Sequence, residues 1–247
     1  MADIIFGRRP VLEALKAGQP IEKILIQHET RGSTINTIYR AAKQRGIPVT
    51  QAGKERFREL ANKGSTQGVI ALVSPIPYVE VKDILEIAQR KNESPFILIL
   101  DEIEDPHNLG ALVRTGECAG IHGVIIPKHH AATMSQTVMK ASAGAAAHVA
   151  VARVSNIAQS LEELKQYNVW IVGADAAGEK EYSQIDYKGP VGIVVGNEGK
   201  GIRRLVKERC DFLVRIPLFG KVESLNASVA GGLLLYEAAR QRHLPAK

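Results

Sequence analysis

Five polar side chains stand out from small or apolar surroundings. They are Asn108 and Arg114 in DPHNLGALVRTGECAG (105–120), Glu198 in IVVGNEGKGI (193–202), and Ser224 and Asn226 in IPLFGKVESLNASVA (216–230). Arg114 lies two turns into a helix-like run of Leu109, Ala111, Leu112, Val113, Cys118 and Ala119. A guanidinium there asks for an anion, and its planar fork fits a carboxylate or a phosphate. Composition alone equally suits Asn108 as a helix N-cap and Arg114 as a solvated residue. Glu198 is the one carboxylate in a glycine-rich turn, and it also suits the start of a helix over 202–209. Capping explains one of Ser224 and Asn226 but not both. It also leaves Ala227, Ser228, Ala230, Gly231 and Gly232 unexplained, small residues that allow close approach of a backbone or a ligand.

Other chemistries are excluded by spacing. The run 196–201 reads GNEGKG, which is neither GxxxxGK[ST] nor GxGxxG, and 173–178 (GADAAG) has no Lys or Ser/Thr after it. A nucleoside triphosphate or nicotinamide enzyme has little support. Cys118 and Cys210 are too far apart for a CxxC pair and have no histidines at zinc spacing, so both read as small core residues and no metal is expected. His129 and His130 read as part of a solvated loop.

The elements that must position these residues follow from hydrophobic pattern. FILILDEI (96–103), GVIIPK (123–128), VAVARV (149–154), VWIVGADA (169–176), VGIVVGNE (191–198) and FLVRIPL (212–218) are near-continuous apolar runs. Such runs suit parallel strands covered on both faces. Helical stretches fall between them, at 109–119, 155–167 and 203–209, with a long last helix over 225–242. Open parallel sheets bind ligands beyond the carboxyl ends of their strands, which is where the unusual residues sit. Residues 1–75 read as a smaller α/β unit. It has helices near 10–17, 33–43 and 56–61, with Ser33 capping the second and Ile35, Ile38, Tyr39 and Ala42 on one face of it. Its strands fall at 23–27, 49–51 and 68–74. Pro75 and Pro77 punctuate the chain, giving 1–75 as one domain, 76–94 as a linker containing a helix over 81–90, and 95–247 as the second domain.

The chain has 247 residues, 45% hydrophobic and 23% charged, which excludes a disordered chain. No apolar run approaches the ~18 residues of a membrane span, and the start lacks a signal-peptide layout. The expectation is a cytoplasmic protein without membrane partners. The net charge of +6 is unevenly placed: residues 1–75 hold 12 Lys+Arg against 6 Asp+Glu, while 76–247 hold 20 of each. A basic N-terminal unit points to a polyanion, nucleic acid first. Its candidates are Arg8, Arg9, Arg31, Arg40, Lys43 and Arg45, with Arg56, Arg58 and Lys63 beside them.

Taken together, the three quoted segments resemble, in order, the three motifs of the SpoU-type RNA ribose 2'-O-methyltransferases of the SPOUT superfamily. The likeness spans essentially the full length. Residues 1–75 resemble the ribosomal-protein-like α/β RNA-binding domain of the bacterial 23S rRNA guanosine-2'-O-methyltransferase type. The resemblance implies an α/β fold whose C-terminal domain is a mainly parallel sheet with a deep trefoil knot, a homodimer, and S-adenosylmethionine as methyl donor without a metal. It implies a catalytic set of Asn108, Arg114, Glu198, Ser224 and Asn226, with Glu198 pairing with Arg114 or holding the ribose. Cofactor contacts fall around Gly196, Ile216 and Leu225, with Asn197 and Gly201 nearby. The implied substrate is 23S rRNA, free or in a precursor particle. A tRNA, an rRNA antibiotic-resistance site and a non-catalytic RNA-binding assembly role are the alternatives. The resemblance implies that the motif arginine, here Arg114, relays the hydroxyl's proton. A guanidinium stays protonated at neutral pH, which favours a phosphate-assisted relay, or Arg114 orienting the phosphate and hydroxyl, instead.

Overall fold

The computed structural model describes residues 3–61 and 65–243. The chain forms two compact units, one of the residues up to Pro77 with Thr133–Gln136, the other of Tyr78–Ala132 and Thr137 onward.

In the first unit, β1 (Asp3–Phe6), α1 (Arg8–Lys16), β2 (Ile21–Gln27), α2 (Ser33–Gln44), β3 (Val49–Ala52), α3 (Lys54–Ala61) and β4 (Val69–Val73) build a four-stranded sheet of order β1-β4-β2-β3. β4 runs antiparallel to β1 and β2, and β3 is parallel to β2. Val11, Ala14 and Leu15 of α1 and Ile35, Ile38 and Ala42 of α2 pack on Ile24, Ile26, Val69 and Ala71. Each of the Val, Leu and Ile side chains among them contributes about 1.5–3 kcal/mol when fully buried. Two local expectations are corrected. Gly32, not Ser33, is the N-cap of α2, with no side-chain cap bond. Tyr39 is partly exposed, because the buried stripe of α2 is narrower than its pattern of apolar residues.

The second unit contains α4 (Val81–Arg90), β5 (Phe96–Asp101), α5 (Pro106–Ala119), β6 (Gly123–Pro127), α6 (Gln136–Ala141), β7 (Ala150–Val154), α7 (Ile157–Gln166), β8 (Trp170–Ala174), β9 (Lys180–Glu181), β10 (Val191–Gly196), α8 (Arg204–Lys207), β11 (Phe212–Arg215) and α9 (Ala227–His243). Its seven strands run in the order β7-β6-β5-β10-β8-β11-β9, and every pairing is parallel. The middle strands are buried at every position, which is why they read as unbroken apolar runs. One face, with Ile97, Ile99 and Ile171, is covered by Val81 and Ile84 of α4, Leu161 and Leu164 of α7, and Val206 of α8. The other face meets α5 and α9, where Gly116 lies against Leu98 and Gly231 against Val195 and Leu112.

The segment 76–94 departs from its reading as a linker. Val79 bridges to Ala152, and α4 buries Val81, Ile84 and Ala88 in the core of the second unit. The helix periodicity over 81–90 already implied an apolar face, and a face of that size must be covered. Among the described residues no helix is long and apolar enough to cross a membrane.

Candidate active site

The glycine-rich turn after β10 is held shut by its own backbone. Asn197 and Gly201 form an antiparallel bridge, with bonds of 3.1 and 2.8 Å. The Asn197 side chain completes the turn. Its oxygen accepts from the Gly199 and Lys200 amides at 2.9 and 3.3 Å, and its nitrogen donates to the Glu102 carbonyl at 2.9 Å. Gly196 is a steric necessity, since a Cβ there would lie 2.3 Å from the Gly201 carbonyl carbon and the Ile202 nitrogen.

Asp101, the last residue of β5, anchors the exit of this turn. It is fully buried, and its carboxylate accepts from the Arg203 amide at 2.8 Å and from Arg203 Nε and Nη2 at 2.9 and 2.6 Å. Hydrogen bonding to Asp101 raises the Arg203 guanidinium above its ordinary value. Sequence reasoning passed over Asp101, although a carboxylate closing the run FILIL was a usable signal, because a buried charge needs a partner.

Asn108 is not the cap of α5. Asp105 is, its carboxylate accepting from the His107 amide at 3.0 Å, with Pro106 at the first helical position. That frees Asn108, buried in the first turn, to donate to Glu198 Oε1. Asn226 meets the same pair, donating to Glu198 Oε1 at 2.8 Å and to Asn108 Oδ1 at 3.0 Å. Its own oxygen caps α9, accepting from the Ser228 amide at 2.9 Å, the Ser228 hydroxyl at 2.5 Å and the Val229 amide at 3.3 Å. Close approach of α9 to α5 brings these side chains together. Gly231 permits it, because a Cβ there would fall 2.4 Å from Leu112 Cδ2.

Arg114 is not part of this cluster. It is exposed, and among the described residues it has no ion-pair or hydrogen-bond partner, so the expected pairing with Glu198 is absent. Helix geometry gives the reason: six residues at ~100° each leave Arg114 about 120° around the axis from Asn108 and roughly 9 Å along it.

Beside the cluster lies a cleft lined by Val195, Gly196, Asn197, Glu198 and Gly201, by Ala174, Asp175 and Ala176 at the end of β8, and by Ile216, Leu218, Glu223, Ser224, Leu225, Ala227 and Ala230. All five expected cofactor residues, Gly196, Asn197, Gly201, Ile216 and Leu225, fall on this one cleft. So do Glu198 and Ser224, at the carboxyl ends of three neighbouring strands, β8, β10 and β11. Among the described residues, no backbone–backbone hydrogen bond involves the amides of 218–225. The cleft therefore offers largely apolar walls edged by main chain outside any helix or strand, a setting that fits a nucleoside-like ligand.

The basic residues of the first unit divide. Arg8 ties loops together, donating to the Gln67 carbonyl at 3.1 Å and the Arg31 carbonyl at 3.4 Å. Arg45 is taken up by structure, donating to the carbonyls of Leu15 and Gln19 at 2.8 and 2.7 Å at the end of α1. Arg56 pairs with Glu59 at 2.8 Å. The side chains of Arg9, Arg31, Arg40, Lys43 and Arg58 are exposed and without partners among the described residues; Lys63 lies outside those residues. Arg8, Arg9 and Arg31 gather where α1 and α2 begin, whereas Arg40 and Lys43 lie two to three turns along α2.

The cysteines also divide. Cys118 is exposed on α5, contrary to its expected place in the core, because it falls on the same outer side as Glu117. Cys210 is partly buried against the core, and burial pushes its thiol up to about 12. His129 and His130 are exposed in a loop, as read.

Comparison with known proteins gives the same picture. Residues 95–236 match the SpoU rRNA methylase family, and residues 4–79 match the RNA 2'-O ribose methyltransferase substrate-binding family. A Bacillus subtilis (strain 168) protein assigned to the TrmH family of tRNA/rRNA methyltransferases, YacO, is 44% identical over 241 residues, covering 98% of this chain and 96% of its own. The AdoMet-bound rRNA methyltransferase of Sinorhizobium meliloti superposes with a TM-score of 0.61 at 27% identity, covering 98% of this chain and 88% of that one. The SpoU methyltransferase AviRb of Streptomyces viridochromogenes, solved with AdoMet, shares the fold with a TM-score of 0.62 at 24% identity, over 97% and 90% of the two chains. The chain therefore belongs to the SpoU family of RNA 2'-O-ribose methyltransferases.

Proposed function

We propose that the chain methylates the ribose 2'-hydroxyl of a guanosine in 23S rRNA, in the cytoplasm, with S-adenosylmethionine as donor. One observation carries this reading. Asn108 and Asn226, from two separate segments, converge on one carboxylate oxygen of Glu198, from a third, beside a cleft with apolar walls. A carboxylate fixed this way by two carboxamides is oriented for work, since structure alone needs no such convergence.

S-adenosylmethionine, when bound, supplies a methyl carbon activated by a sulfonium. The chain's own contribution is positioning and charge placement. The turns around Gly196, Ile216 and Leu225 hold the donor, and the apolar lining keeps water from it. Glu198 Oε1 is occupied by the two asparagines, while Oε2 accepts nothing among the described residues. That oxygen is free to take the hydrogen bond of the sugar hydroxyl and align its lone pair. Ser224 offers a hydroxyl at the cleft wall. Arg114, exposed and off this cluster, presents its fork to the RNA phosphate beside the sugar, while Glu198 Oε2 takes the hydroxyl proton as the new bond forms.

The reading includes a homodimer and the trefoil knot of the family. Val229, Leu233 and Tyr236, spaced i, i+4, i+7 on α9, leave an apolar stripe partly exposed, which supports a helix-mediated contact between two copies. The first unit supplies RNA affinity through Arg9, Arg31, Arg40 and Lys43, with Arg8 near them. If about four phosphates of single-stranded RNA are neutralised, a fourfold rise in salt weakens binding roughly fifty-fold.

Two measurements test the reading. Calorimetry should show S-adenosylmethionine binding to the purified protein. Mapping ribose methylation across rRNA and tRNA from cells lacking the protein should show one lost 2'-O-methylguanosine in 23S rRNA. Loss at a tRNA position instead would move the substrate to tRNA, and no loss in either would refute the function.

A further inference from the structure

The loop from β11 to α9 carries Phe219, whose surface is 97% exposed; the next most exposed aromatic among the described residues, Trp170, is 57% exposed. A phenylalanine ring standing almost wholly in water gains nothing from folding. Here it lies in a segment that rims the cleft: Leu218 before it and Glu223, Ser224 and Leu225 after it are all lining residues. The same segment ends at Asn226, which holds Glu198. The ring is followed by Gly220, where an added Cβ would touch nothing within 4 Å, and by the exposed Lys221.

Resting on the function proposed above, we infer that Phe219 is the stacking platform for the base of the nucleotide being methylated, with Lys221 meeting an adjacent phosphate. The sugar hydroxyl must come to the carboxylate that Asn108 and Asn226 hold, so the base attached to that sugar falls on the cleft's rim. A nucleotide drawn out of an RNA helix or loop loses stacking on its neighbours. An aromatic face on the rim replaces it, and every base has a π face to offer. The neighbouring lysine suits a polyanion better than it suits an apolar partner surface. Phe219 is thus an RNA-contacting residue distinct from the basic unit formed by the first 77 residues.

The test uses the full-length protein, tritiated S-adenosylmethionine, and bulk rRNA and bulk tRNA extracted from cells lacking the protein. Phe219→Ala should raise KM for the methylated RNA about tenfold, leaving donor affinity and the oligomeric state unchanged. Phe219→Trp should restore wild-type KM, and Phe219→Leu should not. The wild-type chain has a single tryptophan, so RNA should quench the emission of Phe219→Trp beyond any change seen in the wild type. Equal KM in Phe219→Ala, full activity in Phe219→Leu, or a loss traced by sedimentation to weaker self-association would each overturn the inference while leaving the enzyme's function standing. A wild-type protein that methylates neither RNA would overturn both.

Discussion

Asn226 has two simultaneous duties. Its carboxamide oxygen caps α9 and its nitrogen donates to Glu198 Oε1 at 2.8 Å. The start of the last helix and the orientation of the site carboxylate are therefore fixed by one side chain. Because α9 also packs on α5 through Gly231, the position of Asn108 is fixed by the same contact.

The two duties of Asn226 can be separated. Asn226→Ala loses both, costing about 1 kcal/mol for the cap and a fall in Tm of roughly 2–4 °C. Asn226→Ser keeps a good capping group that is too short to reach Glu198. Thermal melts should place the serine variant near wild type, while methyl-transfer assays should find both variants at least about tenfold slower. A serine variant with full activity would show that the Asn226–Glu198 bond does not matter to catalysis.

Arg114 gives the opposite pattern. Exposed and unpartnered, it contributes little to the fold, so Arg114→Ala should alter stability by no more than about 0.5 kcal/mol. Donor affinity by calorimetry should stay near the wild-type value, and methyl transfer should fall at least about 100-fold. Arg114→Lys should not recover it, since an ammonium cannot present the planar fork. Donor affinity falling in step with activity would make Arg114 a structural residue.

The sheet was legible because its strands are covered on both faces, so their apolar runs are unbroken. β9 was missed because Lys180–Glu181 is a two-residue polar edge with no pattern to read. The site's residue types were legible too, but their pairing was not. Asn108 and Asp105 both suit a cap, and only Pro106 at the first helical position decides between them. The pairing of Glu198 with Asn108 and Asn226 depends on how α5 and α9 pack, which residue spacing along the chain does not report. Arg45 looked like a surface cation because nothing local reveals that the end of α1 leaves carbonyls for it to satisfy.

Gly196 tests the turn itself. Its added Cβ would collide with backbone rather than with a movable side chain, so Gly196→Ala should destabilise the second unit by at least the ~1–3 kcal/mol typical of overpacking. It should also weaken S-adenosylmethionine binding, as read by calorimetry below the melting range. Gly189→Ala is the matched control: its Cβ would meet nothing within 4 Å and its φ is not positive, so stability and binding should stay at wild-type values. Equal donor affinity in a folded Gly196→Ala protein would show that this turn does not hold the donor.

Acid sensitivity should come from His122. Its Nδ1 accepts from the Phe96 amide at 3.0 Å, and its Nε2 pairs with Glu93 Oε2 at 3.0 Å, so the folded protein holds the neutral ring with its proton on Nε2. Burial lowers the pKa below the ordinary histidine value of about 6.5. Glu93 opposes this by hydrogen bond and charge, while Lys91 and Arg242 add smaller lowering effects. With the folded value below the unfolded one, the unfolded chain binds more protons as pH falls through 6.5, and stability must fall with it. The contribution of His122 is present in full above about pH 6.5 and is lost as pH drops through the folded-state value. Urea midpoints measured from pH 8 to pH 5 should be level at first and then decline. In His122→Gln, destabilised but without a titrating ring, the part of the decline just below pH 6.5 should be absent. An unchanged profile in that variant would assign the acid sensitivity to other groups.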